Sequence, residues 1–273
     1  MPEPETKPPL TGKPDIIDIL AVCWGVISLV FLSEGVLTTY LGKAAYVLTE
    51  ILMLVFAWGY LSARKIPCRE IFRWRSVPAN SWKPILTISI AAAVLLDELD
   101  RLVSFIIPMP AEQVQLLYDA FIPGGTFELV CVFLGVVIVA PIAEESIFRG
   151  FVQKTLESRG DVTKAVLITS AIFSLIHLQH YWLVQLLVLS VVLGYLAWRT
   201  GSIIPGILIH AFNNCWSLIL MIKSQSGEFA FYEFHGHVNP ILIVIASVFL
   251  WQGFRSLERV FNNVQLSDLY AKE

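Results

Sequence analysis

The sequence is poor in charged residues. Asp, Glu, Lys and Arg make up 15% of its 273 residues, whereas about 25% is usual in soluble domains. Hydrophobic residues make up 56%, and the mean hydropathy is +0.70. The formal net charge of -3 provides no excess of basic residues for nucleic acid. A soluble domain is therefore disfavoured, and no nucleic-acid partner is expected.

Paired cysteines and metal-type cysteine motifs are also missing. The four cysteines show no CxxC spacing, and we interpret them as isolated thiols. They are Cys23, Cys68, Cys131 and Cys215.

The beginning of the chain lacks the basic segment and short apolar core of a cleaved signal peptide. Residues 1–15 are polar and rich in proline, and we predict an N-terminal tail there. Long apolar blocks follow, and about 20 apolar residues are needed for a helix to cross a bilayer core of about 30 Å. Because exposed backbone is not tolerated in lipid and no block alternates like a barrel strand, the blocks should be helices. The eight blocks are residues 16–38, 44–62, 83–107, 126–148, 163–179, 181–198, 202–222 and 238–254.

This pattern predicts an all-α integral membrane protein, a bundle of about eight transmembrane helices with both termini cytosolic. With that topology all but three of the 19 Lys and Arg residues lie on the cytosolic side, as the positive-inside rule requires. The exceptions are Lys43, Arg101 and Lys223. We therefore predict a single transmembrane domain over residues 16–254 and a cytosolic C-terminal tail over residues 255–273.

Ionisable groups inside apolar spans are costly, so each is a functional candidate. The fourth block contains adjacent carboxylates, Glu144 and Glu145, followed by Arg149. Residues four apart share a helix face, so Glu145 and Arg149 can pair. Glu144 is rotated by about 100° from Glu145 and is left for chemistry.

Counting from the predicted turns indicates which polar groups lie at the same depth. Glu144 is 16 residues before Gly160, and His177 is 17 residues after it. In an antiparallel helical hairpin the two should face each other at nearly one level. In the seventh block, His210 and Asn214 are four apart and should project from one face. The four side chains are predicted to converge in the cytosolic half of the bilayer.

Together these groups favour hydrolysis of an acyl bond. A buried carboxylate and a histidine can hold and deprotonate a water molecule. A histidine and an asparagine one turn apart can donate hydrogen bonds to an oxygen that becomes negative. No Ser or Cys is clearly placed as a nucleophile beside them, which favours direct attack by water.

This region contains three motifs, Glu144-Glu145-x-x-x-Arg149, Phe173-x-x-x-His177 and His210-x-x-x-Asn214. They resemble those of the CPBP family, the CAAX proteases and bacteriocin-processing enzymes that include Rce1-type prenyl endopeptidases. The resemblance covers about Thr126 to Leu220 and implies a protease core at about residues 126–222.

The resemblance implies an intramembrane glutamic endopeptidase. Glu144 with His177 would activate the water, and His210 and Asn214 would stabilise the oxyanion. The supporting residues would be Glu145 and Arg149.

No metal cofactor is required by the mechanism that the resemblance favours. The alternative is Zn2+ held by Glu144, His177 and His210, since histidine and carboxylate are usual zinc ligands.

The expected partners are membrane lipid and a peptide or protein substrate, with or without a lipid anchor. The compact chain with short loops favours a bacterial inner membrane, with the site opening to the cytosolic side. One alternative function is a non-proteolytic immunity or partner-binding protein on the same fold. A proton-coupled transporter is a further alternative, disfavoured because the sequence has no internal repeat.

The remaining polar residues receive structural interpretations. His180 is predicted to be interfacial, and His235 and His237 lie on a predicted outer loop. Asp97 and Arg101 are four apart in the third block and should form a structural ion pair.

Overall fold

The computed structural model of the protein describes residues 12–224 and 231–270. The predicted N-terminal tail lies outside the described residues over positions 1–11, as do positions 271–273 of the predicted C-terminal tail. In the described residues the chain forms nine long helices, two short helical turns and one small β-hairpin. The long helices are α1 Ile16–Leu41, α2 Ala44–Ala63, α3 Trp82–Ile106, α4 Ala111–Phe121, α5 Thr126–Glu157, α6 Val162–Ile176, α7 Leu183–Thr200, α8 Ile204–Ser224 and α9 Pro240–Tyr270. The turns are Cys68–Ile71 and Ala79–Ser81, and the hairpin pairs β1 Glu233–Phe234 with β2 His237–Val238.

Each of the eight predicted apolar blocks coincides with a helix. Within the described residues, six helices are long and apolar enough to cross a membrane, namely α1, α2, α5, α7, α8 and α9. The protein is therefore an all-α, multi-pass integral membrane protein, as predicted. The prediction of eight spans is not confirmed, because the helices of the other two blocks, α3 and α6, are not among these six. Helix α6 has 15 residues and is about 22 Å long, and α3 carries charged side chains near its end.

Two segments differ from the sequence-based expectation. Helix α4 lies between the third and fourth predicted blocks, where no helix was predicted, and is too short to cross a bilayer. Helix α9 continues to Tyr270, so most of the predicted C-terminal tail is helical.

Helix α5 is the central element of the bundle. It packs against α2, α6, α7 and α8. Two π-helical segments, Phe133–Val139 and Ser146–Val152, flank a short α-helical segment at Ala140–Glu145. Such π-helical segments are frequent at functional sites. The helix also packs closely against Phe72, the residue that follows the Cys68–Ile71 turn. A Cβ atom added at Gly150 would lie 2.6 Å from the Cα of Phe72.

The connection between α5 and α6 is a tight turn. Helix α5 ends at Glu157, and α6 begins at Val162. The side chain of Asp161 accepts a hydrogen bond of 2.9 Å from the backbone N–H of Lys164 and caps α6. The hairpin expected at this point is therefore confirmed.

Two apolar clusters make up most of the buried core. One includes Ile147 and Phe173, and the other includes Leu193 and Ile209. The polar residues of the candidate site lie on the helices that join these clusters. On the outside of the bundle, large apolar side chains such as Trp24 and Phe105 are exposed, as expected for a surface in contact with lipid.

Several remaining expectations are also met. All four cysteines are free. Arg101 Nε lies 3.0 Å from Asp97 Oδ2 as an ion pair, and Arg101 also pairs with Glu233 of the hairpin. His237 Nδ1 lies 2.9 Å from Glu98 Oε1 at the same end of the bundle.

Candidate active site

Glu145 is a fully buried carboxylate in the middle of the bundle. Its Oε1 lies 2.8 Å from Nη1 of Arg149, one helical turn later, and both side chains have 0% exposure. The pairing predicted from the i, i+4 spacing is therefore present. Because an unpaired buried charge is very costly, each group makes the burial of the other tolerable.

The guanidinium of Arg149 is held by two further elements. Its Nη2 donates a hydrogen bond of 2.8 Å to Oγ of Ser190 on α7. Its Cζ lies 4.2 Å from the centre of the Phe173 ring of α6, within the range of a cation–π interaction. Arg149 thus connects α5, α6 and α7 around Glu145.

Glu144 faces the two histidines. Its Oε2 lies 3.9 Å from Nε2 of His177 and 3.8 Å from Nε2 of His210. The side-chain exposures of Glu144 and His177 are 13% and 29%, so these side chains are partly exposed, whereas Glu145 and Arg149 are fully buried. Glu144 and His177 thus lie close together, as predicted by counting residues from Gly160.

Both histidines are oriented by acceptors on the far side of the ring. Nδ1 of His177 donates a hydrogen bond of 2.7 Å to the backbone carbonyl of Phe173. Nδ1 of His210 donates to Oε1 of Glu145 at 3.1 Å. With Nδ1 engaged in this way, each ring turns its Nε2 toward Glu144, and the tautomer of the neutral ring is set. A water molecule near Glu144 therefore meets a carboxylate oxygen and imidazole nitrogens.

Asn214 is on the same helix as His210, but its contact is with a different part of α5. Its Nδ2 donates a hydrogen bond of 2.9 Å to the backbone carbonyl of Val136, in the first π-helical segment. This bond uses one of the two N–H groups of the amide. The structure thus brings together Glu144, His177 and His210, with Asn214 anchored beside them.

Three contacts of the site were missed in the sequence. They are the hydrogen bond from His210 to Glu145, the contact of Ser190 with Arg149, and the electrostatic interaction of Glu50 with Glu144. Glu50 is the only charged residue of α2. The signal that singled out Glu144, a carboxyl group within an apolar block, applies equally to Glu50.

The other histidines have partners outside the site. The ring centres of His180 and Tyr181 lie 3.9 Å apart, and His235 meets Phe234 edge to face in the hairpin. As to metal, no group of three or more His, Cys, Asp or Glu side chains within residues 12–224 and 231–270 is arranged to hold an ion. The zinc alternative stays a prediction.

Gly206 gives a test of how closely the site is packed. A Cβ atom added at Gly206 would lie 2.9 Å from Oε2 of Glu145, whereas nothing lies within 4 Å of one added at Gly59. We expect Gly206→Ala to displace the Glu145 carboxylate, to lower the free energy of unfolding by about 1–3 kcal/mol and to reduce activity at least tenfold. Gly59→Ala should leave activity unchanged and is the matched control. Thermal unfolding in detergent and a cleavage assay measure both effects, and equal behaviour of the two variants would contradict the packing described.

The fold and the site together define a class, a multi-pass helical membrane protein with a buried carboxylate–histidine site on its central helix. Residues 126–216 match the family model described as type II CAAX prenyl endopeptidase Rce1-like. The match supports the family predicted from the three motifs, the CPBP family of proteases. No curated protein and no solved structure matches the chain.

Proposed function

We propose that the protein is an intramembrane glutamic endopeptidase that hydrolyses a peptide bond of a membrane-associated peptide or protein. The observation that supports this most is the position of Glu144. Its Oε2 lies within 4 Å of Nε2 of both His177 and His210, inside the segment that matches a protease family. A carboxylate and two oriented imidazoles that meet within 4 Å suit the activation of water.

In the proposed mechanism, Glu144 and His177 hold the attacking water. Glu144 accepts a proton while the water oxygen bonds to the carbonyl carbon of the substrate. The tetrahedral intermediate then collapses, the C–N bond breaks, and the proton held by Glu144 passes to the leaving nitrogen. The products are a carboxylic acid and an amine, and no covalent enzyme intermediate is formed.

Stabilisation of the oxyanion is assigned to His210 and Asn214. With Nδ1 bonded to Glu145, His210 can donate from Nε2 when the ring is protonated. Asn214 can donate through the N–H that Val136 does not occupy. Glu145 and Arg149 act through His210. Oε1 of Glu145 accepts a hydrogen bond from Nδ1 of His210 and another from Nη1 of Arg149.

The membrane topology is part of the proposal. We infer eight crossings, with α3 and α6 completing the bundle and both termini in the cytosol, because this arrangement follows the distribution of Lys and Arg. The site then opens to the cytosolic side of a bacterial inner membrane. The domain of about residues 126–222 carries all the proposed catalytic groups.

The proposed function is tested by cleavage in proteoliposomes. The purified protein is incubated with membrane-anchored peptides that carry either a prenylated C-terminal CAAX sequence or no lipid, and the products are identified by mass spectrometry. We expect a new C-terminus with wild-type protein and none with His177→Ala. Cleavage of the prenylated peptides alone would define CAAX-type processing. Equal cleavage by His177→Ala would contradict the assigned role.

Asn214 provides a separate prediction about the oxyanion. Asn214→Ala should lower kcat by about 10²–10³-fold, as expected for the loss of one oxyanion donor, with KM nearly unchanged. Because the side chain also anchors α8 to Val136, the unfolding temperature must be measured on the same sample. A folded Asn214→Ala protein with a wild-type kcat would contradict this assignment.

A further inference from the structure

We propose that Glu50 is a positioning residue for Glu144 and acts through a water molecule held between the two carboxyl groups. The inference rests on the proposed function, since Glu144 is its catalytic base. It adds helix α2, which lies outside the segment matched by the family model, to the elements that build the site.

The position of Glu50 in the bundle supports this role. Helix α2 packs against the Ala140–Glu145 segment of α5 and against the π-helical segment that precedes it. Glu50 is the single charged side chain in the 20 residues of α2. Its neighbour Thr49 is buried and donates a hydrogen bond to the hydroxyl of Ser33 on α1, so α2 is tied to α1 at this point. A carboxyl group inside a membrane span is costly, so its presence there is a reason to look for a function.

The unpartnered oxygens point to a shared ligand. Oε2 of Glu50 and Oε2 of Glu144 are both buried, and neither has a hydrogen-bond partner among the described residues. The two carboxyl groups interact electrostatically. Neither Oε2 atom has a donor among the described residues, whereas a water molecule can donate to both. Buried water commonly serves such unsatisfied groups.

The consequence for Glu144 is a fixed orientation. The histidines approach its carboxyl group from α6 and α8, and Glu50 approaches from α2. A water on the α2 side restrains rotation of the Glu144 side chain and keeps its carboxyl group directed to the histidines. Arg149 is already engaged by Glu145 and Ser190, so Glu50 supplies a restraint that the ion pair does not.

The test compares two substitutions at Glu50. In Glu50→Leu the water has no partner on α2, and we expect kcat to fall about 10–100-fold, as when a supporting partner of an active-site group is removed, with KM changed less than about twofold. In Glu50→Gln the amide keeps the length and hydrogen bonding of the side chain, so kcat should stay within about threefold of wild type. Glu50→Met replaces the leucine variant if that protein does not fold.

Asp100→Leu is the matched control. Asp100 also has a buried oxygen without a partner among the described residues, but it is on α3, and its removal should leave kcat unchanged. A wild-type kcat in Glu50→Leu, or an equal loss in the leucine and glutamine variants, would overturn the proposal. The failure of the proposed function is distinguishable, since Glu144→Gln would then remain active whatever happens at Glu50.

Discussion

Replacing Glu144 with glutamine is expected to lower kcat by about 10²–10⁴-fold, the contribution usual for a general base. Glutamine has the same shape but does not take up the proton of the attacking water. Substrate binding should persist, so KM should change little. The protein should remain folded, because Oε2 of Glu144 makes no hydrogen bond to the described residues that the substitution would break. The measurement is peptide cleavage in proteoliposomes together with thermal unfolding in detergent.

Glu128→Gln is the matched control for this prediction. It is the same substitution on the same helix, but Glu128 lies near the start of α5, where Oε2 is 3.0 Å from Nζ of Lys43 and the side chain is 43% exposed. Its loss should leave kcat unchanged. Equal activity of both variants would show that Glu144 is not the base.

Removal of the Arg149 side chain is expected to cause the largest loss of stability. In Arg149→Met the carboxylate of Glu145 stays at 0% exposure without its cation, and breaking a buried pair in this way costs about 3–5 kcal/mol. Contacts to Ser190 and Phe173 are lost as well. Activity should also be lost, because Glu145 orients His210. Denaturant and thermal unfolding in detergent measure the first effect.

The double variant Glu145→Met/Arg149→Met separates stability from function. With both charges removed, apolar side chains of similar volume should restore much of the stability. Activity should not return, because Nδ1 of His210 then has no carboxylate to bind. A double variant as unstable as Arg149→Met would contradict the view that the uncompensated charge is what destabilises the single variant.

The contacts that could be predicted from the sequence are local or follow from a single turn. The pairing of Glu145 with Arg149 depends on helical periodicity alone. The approach of Glu144 to His177 depends on that periodicity and on a hairpin whose turn is marked by Gly160 and Asp161. Both therefore followed from counting residues.

The contacts that could not be predicted depend on how separate helices pack. The bond from His210 to Glu145 requires the rotation of α8 relative to α5. The bond from Asn214 to Val136 involves a π-helical segment, which has no recognised sequence signal here. The number of membrane crossings also could not be predicted, because hydropathy does not establish whether the 15-residue α6 crosses the bilayer.

Substrate trapping with the Glu144→Gln protein tests the central claim most directly. The variant and the wild type are purified from native membranes, and the peptides that remain bound are identified by mass spectrometry. The account predicts that intact membrane peptides accumulate on the variant, and that wild-type protein cuts those peptides in proteoliposomes to leave a free carboxyl terminus. If the variant binds no peptide that the wild type cuts, or cuts as fast as the wild type, water activation by Glu144 is contradicted.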